Sequence, residues 1–181
     1  MALGALVGSA AGPAYAQSGR PSPNQGDGDG ISVGGKWMMF KSEDKITGAK
    51  KIRFELLANN SLRGDTGSRP RLELFCSRGK LELADFNPGT RLGQPDHPSF
   101  SGRPQLEVMV RIDDKHDNHS WNWVNGHFLA MDKGTARGLI GADIFNVEVQ
   151  TASGRQIVEF SPAGLEHDRV KEACGLTPKK P

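Results

Sequence analysis

The densest group of ligand-type side chains is Asp113-Asp114-Lys115-His116-Asp117-Asn118-His119, with His127 eight residues further on. Imidazole and carboxylate are donor types that zinc accepts. A hairpin setting His119 opposite His127 would make His116, His119 and His127 a candidate metal set, and a metal-dependent hydrolase the matching activity. No helix is expected here to hold His116 and His119 on one face. The cluster falls where a strand ends, and Asp, Asn and Lys collect at turns for their own backbone reasons. A solvated turn is therefore the expected structure, with no metal and no cofactor. General acid–base chemistry needs two groups fixed in a cleft, and nothing in this spacing imposes that.

Nucleophilic chemistry has less to work with. The chain contains no Gly-x-Ser-x-Gly, and Ser120 adjoins His119 without a spacing that would activate it. Gly134 to Gly141 lacks the Gly-Lys-Ser/Thr ending of a phosphate loop, and Asp27-Gly28-Asp29-Gly30 lacks the remaining ligands of a calcium loop. No catalytic residue is expected, and the chain reads as a non-enzyme. Trp37, Trp121 and Trp123 are the side chains suited to gripping a sugar ring or a peptide. Trp121 and Trp123 are two apart, so they share one face of a strand, either as core or as a ligand-stacking pair.

The elements that would position these residues alternate with a period of two. Ile52, Phe54 and Leu56 alternate with Arg53 and Glu55, and Leu72, Leu74 and Cys76 alternate with Arg71, Glu73 and Ser77. Arg78-Gly79 is a two-residue turn, which predicts a hairpin over 71–85. Leu106, Val108, Val110 and Ile112 form a further stripe. Trp121 and Trp123 lead into Asn125-Gly126, a strong hairpin signal, with the return strand expected over 127–131. Phe145, Val147 and Val149 then turn through Ser153-Gly154 into Val158 and Phe160. The predicted fold is mainly β: an antiparallel sandwich or small barrel of about eight or nine strands. Gly134 to Ala142 is expected to form a turn or two of helix. A C-terminal helix is expected over 162–173, with Pro162 at its start and Gly175 as its cap.

Composition agrees with short strands and many turns. Of 181 residues, 23 are Gly and 11 are Pro, and hydrophobic residues make up 36%. Lys and Arg number 23 against 21 acidic residues, for a net charge of +2 with no long block of either sign. That pattern excludes an extended basic groove for nucleic acid or a polybasic membrane patch.

Domain limits follow from the ends. Residues 1–16 read as a signal peptide without a basic n-region: Met1 to Gly12 is small and apolar, and Ala14-Tyr15-Ala16 supplies a cleavage site. Residues 17–35, rich in Gly, Ser, Pro, Asn and Asp, read as a flexible lead. A single domain is expected over 36–176 and a frayed tail over 177–181. No segment is long and apolar enough to span a bilayer. Export to an oxidising compartment leaves the two cysteines, Cys76 and Cys174, one pairing. The 87–104 loop, rich in Pro and Gly, is expected to be a surface excursion or a binding edge.

With strands, cysteines and helix placed, a family likeness is visible. Trp37-x4-Ser42-x-Asp44, Leu72-Glu73-Leu74-Phe75-Cys76, Val110-Arg111-Ile112-Asp113 before Ser120-Trp121, and Phe160-Ser161-Pro162-Ala163-Gly164-Leu165 with the closing Cys174 stand in order from about residue 36 to 176. In that order they resemble the VasI-like proteins associated with type VI secretion. The chain departs from that pattern between Asn87 and Pro104 and in its long lead. The resemblance implies a periplasmic or secreted protein that acts through contacts with an envelope or secretion-system protein, without catalysis. The alternatives from the residues themselves are a glycan- or small-ligand-binding domain built on Trp121 and Trp123, and the hydrolase centred on His116, His119 and His127.

Overall fold

A computed structural model describes residues 29–63, 68–93, 97–98 and 102–178. The expected signal peptide, most of the lead, the last residues of the tail and part of the 87–104 loop lie outside them.

Alternation builds the first half of the molecule. β1 (Ile31–Ser32), β2 (Trp37–Glu43), β3 (Lys50–Leu57), β4 (Arg71–Ser77) and β5 (Lys80–Asn87) follow one another as an antiparallel meander. The β4–β5 turn is the expected Arg78-Gly79. Both residues take positive φ, 52° and 71°, the geometry whose twist suits a two-residue hairpin. β6 (His97–Pro98) is a two-residue strand within the 87–104 loop and pairs with β7 (Pro104–Ile112). β8 (Lys115–Val124) returns antiparallel to β7, and Asn125-Gly126 turns it into β9 (Phe128–Ala130).

A short helix, α1 (Lys133–Gly138), interrupts the strands before β10 (Phe145–Thr151) and β11 (Gly154–Phe160). β10 does not pair with its predecessor. It returns to lie beside β7, so β10-β7-β8-β9 is a Greek key in which α1 forms part of the long connection. The β5–β9 pairing joins the halves into one sheet, in the order β1-β2-β3-β4-β5-β9-β8-β7-β10-β11. The eleven strands among the described residues exceed the eight or nine expected, and two of them are only two residues long.

Register explains the core. Trp37, Leu56, Leu72, Phe86, Leu129 and Trp123 stand in one cross-strand row from β2 to β8. The sheet rolls over this row until its ends meet. Phe160 of β11 packs edge-on against Phe86, with ring centres 6.2 Å apart at 85°, and Phe86 also meets Trp121 at 6.5 Å. Side chains and loops close the seam in place of a regular ladder. Asn59 N–H donates to the Glu159 carbonyl (2.7 Å), Glu159 N–H to Asn60 Oδ1 (2.9 Å), and Asn60 Nδ2 to the Ile157 carbonyl (2.8 Å). Trp37 Nε1 donates to the Pro162 carbonyl at 2.8 Å.

The C-terminal helix is shorter than expected. α2 runs His167–Cys174, because Gly164 takes φ 87° and the Pro162 carbonyl is engaged by Trp37. Its end is as expected: Gly175 caps it in the left-handed conformation, φ 61°. Val170, Ala173 and Cys174 face inward, and Cys174 is disulfide-bonded to Cys76 of β4 across 98 residues of sequence. In the chain-entropy view a loop of that length contributes about 4–5 kcal/mol.

Candidate functional site

The predicted solvated turn at 113–119 is a strand. Only Asp113 and Asp114 turn, with Asp113 at φ 51°. Lys115 onward pairs with β7 in unbroken register from Ile112↔Lys115 to Gln105↔Asn122. Asp113 earns its place by structure: its Oδ1 accepts the backbone N–H groups of Asp143 and Ile144 at 2.9 and 3.0 Å, which pins the start of β10 to the tip of this hairpin.

The three histidines are not brought together. His116 and His119 are three apart on β8, so their side chains leave opposite faces of the strand. His127 lies in the turn beyond Val124, five residues past His119, which is roughly 17 Å of strand. The register that would set His119 opposite His127 is not the one formed, since Val124 already pairs with Phe128. Among the described residues no group of three His, Cys, Asp or Glu side chains could hold a metal ion.

The tryptophans are equally changed by the fold. Trp121 is 1% exposed, and Trp123 is half-buried against the core. Trp37 is likewise buried. Trp121 and Trp123 share a face, as their spacing requires, and that face packs against the core, fully at Trp121 and partly at Trp123.

A groove of about 700 Å³ opens where the β7–β8 tip faces α1. Val110, Ile112, Ile140 and Ala142 give it an apolar floor, while Lys115, Asp117 and Arg137 line its polar side. Its centre is built from two elements. Asp132 is the N-cap of α1: its Oδ1 accepts the Thr135 N–H (2.9 Å) and its Oδ2 accepts the Thr135 hydroxyl (2.6 Å). The same Oδ2 lies 3.0 Å from His119 Nδ1. Burial pushes the Asp132 carboxyl upward, but the two Thr135 bonds, His119 and the nearby Trp121 indole outweigh it and hold the group below the ordinary carboxylate range. The indole N–H itself makes no hydrogen bond of normal geometry among the described residues. Sequence reading singled out His119 and missed Asp132 and Thr135. The signal was present as Asp132-x-x-Thr135 before a helix, a capping pattern.

A second polar group lies on the outer face of the first half-sheet. Register stands Glu55, Glu73 and Asp85 side by side across β3, β4 and β5. Like charges directly opposite repel, and two arginines answer most of them. Arg53 pairs with Glu55 and with Glu73 (2.8 Å), stacks on the Phe40 ring at 4.2 Å, and Arg71 holds the other Glu73 oxygen at 3.0 Å. Asp85 is 3% exposed and its Oδ1 has no hydrogen-bond partner among the described residues. Burial first, then the Glu73 charge, pushes its carboxyl up to about 8 despite Arg71 and Arg53.

Compared with family models, curated proteins and solved structures, the chain matches none. The site is therefore read from its own geometry.

Proposed function

We propose that this is an exported binding module that acts through protein contacts at the groove between the β7–β8 tip and α1, without catalysis. The observation that carries the reading is how the groove's most reactive-looking pair is used. Both Asp132 oxygens are committed to capping α1, and His119 is tied to one of them. The pair thus fixes the helix against the hairpin and shapes the groove wall. An apolar floor beside mixed charges suits a partner segment with its own apolar and charged side chains.

The Cys76–Cys174 disulfide is consistent with an oxidising compartment, and no helix among the described residues is long and apolar enough to cross a membrane. The apolar N-terminal sequence supports export to the periplasm or beyond, and the ordered motifs shared with VasI-like proteins favour a secretion-apparatus partner.

Photo-crosslinking tests the reading in the native host. A crosslinker at position 117 or 137, on the groove, should yield a discrete envelope-protein adduct that the same probe at exposed Arg155 does not. Equal adducts from all three positions, or a hydrolytic activity abolished by His119→Ala, would overturn it.

A further inference from the structure

The inner stripes of three neighbouring strands change character at the same end of the barrel. On β2 the inward positions run Trp37, Met39, Lys41, Glu43. On β3 they run Leu56, Phe54, Ile52, Lys50, and on β4 they run Leu72, Leu74, Cys76, with Arg78 next in the turn. Register places these endings together, with Lys41 beside Ile52, Ile52 beside Cys76, and Lys50 at the adjoining step. Positions that elsewhere fill the core with apolar side chains thus become charged where the barrel opens, cationic at Lys41, Lys50 and Arg78 and acidic only at Glu43.

These cations surround a pocket of about 220 Å³ roofed by α2. Met39, Ile52, Cys76 and Ala173 form its apolar base. Lys41, Lys50, Arg78 and Arg169 line it, against a single lining carboxylate, Glu172. Arg169 is already engaged by Glu166. Among the described residues, Lys41, Lys50 and Arg78 have no ion-pair partner, even though Glu43 stands opposite Lys50 in register. Arg78 sits in the two-residue β4–β5 turn at φ 52°, and its neighbour Gly79 lies close under α2.

We propose that this pocket is an anion-binding site that takes a phosphate-bearing ligand. Three converging unpaired cations over a low-dielectric base attract an anion more strongly than the same charges scattered over a surface. The turn arginine offers a planar fork to phosphate oxygens, and two flexible lysines close on the remaining charge. The volume suits a phosphate group with a small substituent. The site is separate from the groove and does not depend on the groove's function.

The experiment uses the oxidised full chain. Backbone amide NMR follows titration with inorganic phosphate, with sodium chloride at matched ionic strength as reference. Two arms locate the source of the phosphate: free glycerol phosphate, and vesicles of phosphatidylglycerol set against phosphatidylcholine. Shifts confined to residues 41, 50, 77–79 and 169–173 are expected. Lys41→Gln/Lys50→Gln/Arg78→Gln should weaken binding at least tenfold, whereas Lys115→Gln/Arg155→Gln should leave it unchanged. Binding only to phosphatidylglycerol vesicles, lost in the triple variant, assigns the phosphate to a lipid headgroup. No response beyond the chloride reference in any arm, or a triple variant that binds like the parent, overturns the site. All substituted side chains are exposed, and thermal unfolding checks that the variants keep the fold.

Discussion

Asp85→Asn isolates the buried carboxyl on the outer face of β5. The Asp85 carboxyl is raised from 3.8 to about 8 in the folded protein by burial and by Glu73 across the β4–β5 pair. A folded state that binds its proton more tightly than the unfolded chain is favoured at low pH. That advantage is whole below the unfolded value and is lost as pH rises toward the folded one. Between the two values the limiting slope is about 1.4 kcal/mol per pH unit, so the full span is on the order of 5–6 kcal/mol. Asn at this position stays neutral and removes the slope. It also leaves a buried amide to satisfy, at about 1–3 kcal/mol. Urea unfolding at half-unit steps from pH 4.5 to 8.5, followed by tryptophan fluorescence with buried Trp37 and Trp121 as reporters, gives both curves. The parent minus variant difference should fall steadily with pH, leaving the variant equal or more stable by pH 8. Parallel curves would refute the account of a neutral acid held beside Glu73.

Other consequences are equally direct. A Cβ at Gly34 would sit 1.8 Å from the Gly164 carbonyl oxygen, whereas Gly154 has a similarly positive φ and open space around it. Gly154→Ala should therefore cost only the left-handed strain, about 1–2 kcal/mol, while Gly34→Ala adds a backbone clash at the seam and costs several kcal/mol more in thermal unfolding. Reducing the disulfide, or replacing both cysteines by Ser, should remove about 4–5 kcal/mol. Denaturant midpoints with and without reductant measure that loss, and equal midpoints would contradict it. Asp132→Ala removes the α1 cap and should cost about 1 kcal/mol. It should also raise exchange of the Thr135 amide, with little change in the first half-sheet.

The local grammar of the fold is visible along the chain. Alternation marks which residues of β3, β4, β7 and β10 face inward, because side chains on a strand must point to alternate sides. Arg78-Gly79 and Asn125-Gly126 mark turns because their backbones must accept positive φ, and Gly175 ends α2 for the same reason. Two cysteines leave one internal pairing, and the molecule makes it. Pro162 as a helix start is the local signal that misleads: a carbonyl required by Trp37 and a positive-φ Gly164 delay α2 to His167.

Tertiary structure decided which strands became neighbours, and with that everything about the sites. Periodicity fixes a face but not a partner. The return of β10 to β7 and the joining of β5 to β9 depend on which long-range closures fill the core around Phe86 and Phe160. Those choices buried Trp121, separated His116, His119 and His127, and brought His119 to Asp132. They also stood Glu55, Glu73 and Asp85 in one row and gathered Lys41, Lys50 and Arg78 around one pocket. Each of these residues reads alone as an ordinary polar position on a strand or turn. Its chemistry comes from neighbours distant in sequence, and only the packed sheet sets them side by side.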